Sequence, residues 1–138
     1  MSAIPVWLRN TFAAVFGIFI GSLLNITIIT IGPALIPPPA GVDTSSAEGL
    51  RAGMHLLEWQ HFITPFLAHA LGTLVGAFVA YLIAATRREQ MAYVVGVVFL
   101  LGGIAATFMI PAPTWFVALD LLVAYLPMVW LATKIGER

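Results

Sequence analysis

His69 and Asp120 are the two side chains in this sequence with both the chemistry and the setting to handle a proton or a polar solute. Each interrupts an apolar run that contains no other charged residue or histidine, and each run has the roughly 20 residues that cross a bilayer. An imidazole titrates near neutral pH, and a carboxylate at bilayer depth must find a partner or water. His69 stands about seven residues into its run, roughly 10–12 Å along a helix, and Asp120 enters from the same side to roughly 8–9 Å. Thr73 follows His69 by one helical turn on the same face. Asn25 continues the face of Gly17 and Gly21 and should point at a neighbouring helix. His69 and Asp120 are thus the expected pair, with Asn25 and Thr73 completing a binding or proton-coupling network. The same four residues also suit a structural clasp that fixes one span to another.

A second constellation is His55-x-x-Glu58-x-x-His61. A Glu-x-x-His step on a helix is the unit from which di-iron bundles are built, but those need two such steps and two further carboxylates. Here there is one. The two histidines would stand roughly 120° apart around a helix, which makes a shared ion awkward. A solvated polar face at the membrane surface competes with a metal or proton-entry site at His55, Glu58 and His61. No cofactor is expected.

Membrane spans must position these groups. Of 138 residues, 61% are hydrophobic and 9% charged, and the mean hydropathy is +1.02. Soluble domains carry roughly a quarter charged residues, so this chain belongs to the integral membrane class. Six basic and six acidic residues cancel, which argues against a nucleic-acid binder with a concentrated basic face. The absence of cysteine removes disulfides, thiol redox chemistry and cysteine-ligated metals. No phosphate loop, Gly-x-Ser-x-Gly or His-Glu-x-x-His motif is present.

The apolar runs 11–36, 62–85, 91–110 and 115–133 predict an all-α protein with four transmembrane helices. Short links join the last three, which predicts an antiparallel bundle. Arg9, Arg87, Arg88, Lys134 and Arg138 fall on one side and Arg51 on the other, so both termini are expected in the cytoplasm. Between the first two spans, segment 45–60 is predicted to form an outer amphipathic helix, with Ser45 and Glu48 as its capping box,. It should run into the second span with a bend near Pro65. Pro127 should kink the last span.

Ala68, Gly72, Gly76, Ala80 and Ala84 recur every fourth residue in the second span. Gly17-x-x-x-Gly21 and Gly102-x-x-x-Ala106 repeat the device, which lets membrane helices approach closely. Four short helices bury little interior, so a homo-oligomer or a membrane partner subunit is expected beside the lipid bilayer itself.

The stretches HFITPFLAHALGTLVGA (61–77) and PAPTWFVALDLLVAYLP (111–127) resemble a small bacterial four-span membrane family of uncharacterised function. The resemblance implies a bacterial inner membrane and no particular activity. Three functions remain open: handling of a small solute, ion or proton, a non-catalytic accessory subunit, and a membrane enzyme acting on a lipid or quinone.

Overall fold

The computed structural model describes residues 3–138. Six helices appear in order: α1 (Val6–Leu35), α2 (Ala47–Gly53), α3 (Ile63–Ile83), α4 (Arg88–Met109), α5 (Thr114–Val123) and α6 (Leu126–Gly136). The chain is 79% helical, with no strand among the described residues. Four stretches are long and apolar enough to cross a membrane: Val6–Leu35, Trp59–Ile83, Arg88–Met109 and Thr114–Gly136. They coincide with the four apolar runs and begin earlier than every one of them. Arg9 ends an apolar run, but a basic residue does not end a helix.

Proline and glycine chemistry sets the boundaries. Ile36, ahead of Pro37, is held in an extended conformation (φ −128°, ψ 89°) and stops α1, as the residue before proline is disfavoured in the helical region. Pro33 lies one turn earlier and removes the donor that Ile29's carbonyl would use,. Pro65 falls in the first turn of α3, where a missing N–H costs nothing. The expected bend at Pro65 is therefore absent. The chain breaks earlier instead, at Leu57 and Glu58, which are both extended.

That break corrects the expected outer helix over 45–60. Only α2 is α-helical, followed by the short 3-10 turns Met54–Leu56 and Trp59–Phe62. Its cap is Ser46, whose hydroxyl accepts from the Gly49 N–H at 3.0 Å. Ser45 is occupied one residue upstream: its N–H and hydroxyl both bond the Asp43 carboxylate, at 2.9 Å and 2.5 Å. Hydrogen bonds from the Ser45 hydroxyl and then its N–H hold the Asp43 carboxyl below the usual carboxylate range.

The closest packing is between α1 and α3. A Cβ on Gly17 would stand 2.5 Å from the Gly76 carbonyl, and one on Gly76 would stand 2.6 Å from that of Gly17. Gly21 and Gly72 meet in the same reciprocal way. The small-residue stripe of α3 is buried against this contact, with Ala68, Ala80 and Ala84 all at 0% exposure. Ala77 and Tyr81 of α3 then meet Ala92 of α4 and Val129 and Ala132 of α6 in a continuous core. The expected Gly102-x-x-x-Ala106 contact does not form: Gly102 faces open space, and its neighbour Gly103 packs on Tyr125. Large apolar side chains such as Phe12, Phe19, Leu23 and Ile26 point outward along α1.

Polar residues close the α1–α3 pair at the end where α1 begins and α3 ends. Arg9 Nε donates to the Ile83 carbonyl at 2.7 Å. Asn10 Oδ1 accepts from the Ala85 N–H at 2.9 Å, while its amide donates to the Thr86 hydroxyl at 3.0 Å. Orphan groups at the end of α3 are thereby satisfied.

A Gly76→Ala variant should lose about 1–3 kcal/mol of stability, the usual cost of overpacking against backbone. Gly102→Ala should be neutral or gain up to about 1 kcal/mol from helix propensity. Thermal unfolding of both variants in detergent micelles checks the contrast.

Candidate functional site

Two helices that run inward from the same end carry the pair. Phe62, which caps the start of α3, and His69 within α3 are seven residues apart, two turns along one face,. On α5, the two buried residues are Phe116 and Asp120, one turn apart. Phe62 packs on Phe116 with ring centroids 4.8 Å apart and on Trp115 at 5.4 Å. This aromatic cluster pins the start of α5 to the start of α3, and His69 and Asp120 meet beneath it. His69 Nδ1 lies 2.8 Å from Asp120 Oδ1.

The other carboxylate oxygen is taken by a residue outside the expected set. The Tyr125 hydroxyl donates to Asp120 Oδ2 at 3.2 Å, and the Tyr125 ring stacks on His69 with centroids 5.9 Å apart. Tyr125 follows Asp120 by five residues, which on an unbroken helix would turn it away by about 140°. It reaches back because the last span is broken there. Tyr125 adopts φ −116° and ψ −85°, and α6 restarts at Leu126 with Pro127 in its first turn. Pro127 was the one sequence signal for this arrangement, since its ring cannot continue the preceding helix.

Asn25 and Thr73 do not complete the network. Asn25 Oδ1 and Thr73 Oγ1 are buried without any hydrogen-bond partner. Asn25 packs against Gly72 in the α1–α3 contact. Thr73 is 1% exposed and lies one turn beyond His69, past the level of the carboxylate. An unpaired buried hydroxyl is a cost of roughly 1–3 kcal/mol.

Above the pair is a cavity of about 220 Å³, bordered by His69 and Asp120. Its walls are mostly apolar, including Ile29 and Pro33 of α1, Ala106 of α4 and Ile110 just after it, and Phe116 and Val117 of α5, with Thr44, Thr64 and Thr107 among them. Leu50, Met54 and Leu57 of the 37–58 segment cover it. That cover is tied down at two points. Arg51 Nε donates to the Met109 carbonyl at the end of α4, at 2.6 Å, a favourable place for a cation at a helix C-terminus. His61 Nδ1 accepts from the Glu58 N–H at 2.8 Å, and its Nε2 donates to the Pro37 carbonyl at 3.2 Å.

The metal candidates His55, Glu58 and His61 are therefore not a ligand set. The extended residues Leu57 and Glu58 remove the helical face they would share. His61 uses both ring nitrogens on backbone, and His55 is exposed. Among the described residues no three histidines or acids cluster to hold a metal.

Beyond the pair the interior closes. Ala124, Ala77, Val95 and Val129 are all at 0% exposure. The cavity is a pit with an acid–imidazole floor, and it does not continue to the opposite end as a channel.

Compared with known proteins, the chain matches no family model, and no curated protein or solved structure is significantly similar to it.

Replacing Asp120 by leucine strands the Tyr125 hydroxyl and the His69 ring, at about 1–3 kcal/mol for each group left unpaired. Thr73→Val removes a hydroxyl that already lacks a partner and should leave stability unchanged or raise it by about 1 kcal/mol. The melting temperature should fall in Asp120→Leu and hold or rise in Thr73→Val. A loss in Thr73→Val comparable to that in Asp120→Leu would restore Thr73 to the network.

Proposed function

We propose that this chain is a small integral protein of a bacterial inner membrane that binds a small solute in the cavity and exchanges a proton through His69 and Asp120. Its four long helices cross the bilayer as an antiparallel bundle, with both termini in the cytoplasm and the 37–58 segment outside. Five of the six basic residues support this orientation, because Arg9, Arg87, Arg88, Lys134 and Arg138 share the end that carries the termini,. Outward apolar side chains on α1 support lipid as their surroundings.

The observation that carries the function is the place of the His69–Asp120 pair at the floor of an apolar cavity. A bridge that served only to join α3 to α5 needs no space beside it. Ligand sites are concave and mostly apolar, with a few polar groups placed to orient what binds. Asp120 orients the imidazole through Nδ1, and the proton then comes and goes at Nε2, as a lone pair in the neutral ring or an N–H in the imidazolium. The closed packing beyond the floor supports binding from one side over conduction through the chain.

The test is the protein purified in nanodiscs, with solvent extraction and native mass spectrometry of what accompanies it. Wild type should retain a small molecule, and Ala106→Phe, which fills the cavity from α4, should lose it at unchanged helix content. Equal small-molecule content in both would overturn the binding function. The same spectra read the assembly state, for which a homo-oligomer is proposed. In proteoliposomes with a trapped pH dye, the protein should add no proton leak over empty vesicles; a leak abolished by Asp120→Asn would favour conduction instead.

A further inference from the structure

We propose that the cavity takes an uncharged, ring-sized amphiphile that presents one hydroxyl group to Nε2 of His69. The inference rests on the binding function above and names the class of its ligand.

Charge is the first criterion. No lysine or arginine borders the cavity, and Asp120 is its one acidic residue. Both oxygens of that carboxylate are already engaged, one by His69 and one by Tyr125. An anion would find no cation, and a cation would meet a carboxylate that is 5% exposed and already shares each oxygen with a donor. Taking an unpaired charge into apolar surroundings is strongly unfavourable, so the ligand is neutral.

The second criterion is the sense of the hydrogen bond. Tyr125 donates to one Asp120 oxygen, and a carboxylate so placed accepts from His69 at the other, which puts the ring proton on Nδ1. The remaining nitrogen of the neutral ring is then an acceptor. Among the described residues Nε2 makes no hydrogen bond, and it is not sealed in, since the buried polar atoms without partners there are Asn25 Oδ1 and Thr73 Oγ1. His61, the other imidazole at the cavity, has its Nε2 proton committed to Pro37. Thr44, Thr64 and Thr107 also border the cavity, and their hydroxyls can donate as well as accept. At the floor, Nε2 of the neutral ring can only accept, so it selects a ligand with a donor, and a hydroxyl is the neutral group of that kind on an otherwise apolar molecule.

Size is the third. A cavity of about 220 Å³ is below the roughly 300–1,000 Å³ of sites for drug-sized ligands. It has room for a ring system and not for a two-tailed lipid. Ile29, Met54, Phe62, Ile110, Phe116 and Val117 supply the apolar surround.

The experiment uses the full chain in nanodiscs at pH 8 and three probes on one ring system: 1-naphthol, 1-methoxynaphthalene and 1-naphthoate. Binding is measured by equilibrium dialysis as the excess over empty nanodiscs. In wild type, 1-naphthol should bind about tenfold more tightly than 1-methoxynaphthalene, which lacks the donor, in line with one hydrogen bond. The anion 1-naphthoate should show no excess. In His69→Phe the preference for the hydroxyl should vanish while 1-methoxynaphthalene still binds, and His69→Gln, which keeps an acceptor, should retain part of it. Equal affinity of wild type for the hydroxyl and methoxy probes, tight binding of the anion, or no excess binding of any probe would overturn the ligand class. A co-isolated molecule of another class would do so too while leaving the binding function intact, whereas that function fails separately if nothing accompanies the wild-type protein.

Discussion

A carboxylate surrounded by hydrocarbon side chains persists only where donors reach it, and Asp120 is the place where this chain meets that demand. It is 5% exposed, and its two oxygens draw donors from different parts of the chain, His69 on α3 and Tyr125 from the break between α5 and α6. The break is thus more than a defect in a span. It turns a tyrosine that a continuous helix would point elsewhere, and it stacks that ring on the imidazole. Where the carboxylate meets its two donors, the cavity ends.

The two ends of the molecule are held by different physics. Toward the termini, glycine and alanine let α1 and α3 meet backbone to backbone, and small residues of α3, α4 and α6 fill the rest. Where helices lie in lipid, with little hydrophobic drive between them, contact of this kind supplies much of the association. Toward the 37–58 segment, prolines and larger side chains keep the helices from closing, and the space between them is the cavity. Its cover depends on a few polar ties to backbone, Arg51 to Met109 and His61 to Pro37. Those ties are exposed, and local opening free energies are lowest where few apolar contacts are buried.

His69 and Asp120 were legible as partners because depth along a helix follows from residue count, and both spans enter from the same end. The contact stripe on α3 was legible for a similar reason, since a four-residue spacing keeps small residues on one face. Ser45 misled because Ser46 and Asp43 compete for the same local hydrogen bonds, and a one-residue shift in a cap costs little. The outer histidines misled because a helical spacing means something only if the helix exists. Extended backbone at Leu57 and Glu58 dissolved the face.

By itself, the sequence determined what composition and one-dimensional spacing control: helices throughout, four of them long and apolar enough to cross a membrane, a basic end, and a histidine and an acid at matching depth. Only the tertiary structure decided which polar groups would be satisfied. Rotation about each helix axis, and the backbone turn at Tyr125, are set by packing against neighbours rather than by any local preference. That is why Tyr125 entered the site while Asn25 and Thr73, at suitable depths, were left buried without partners.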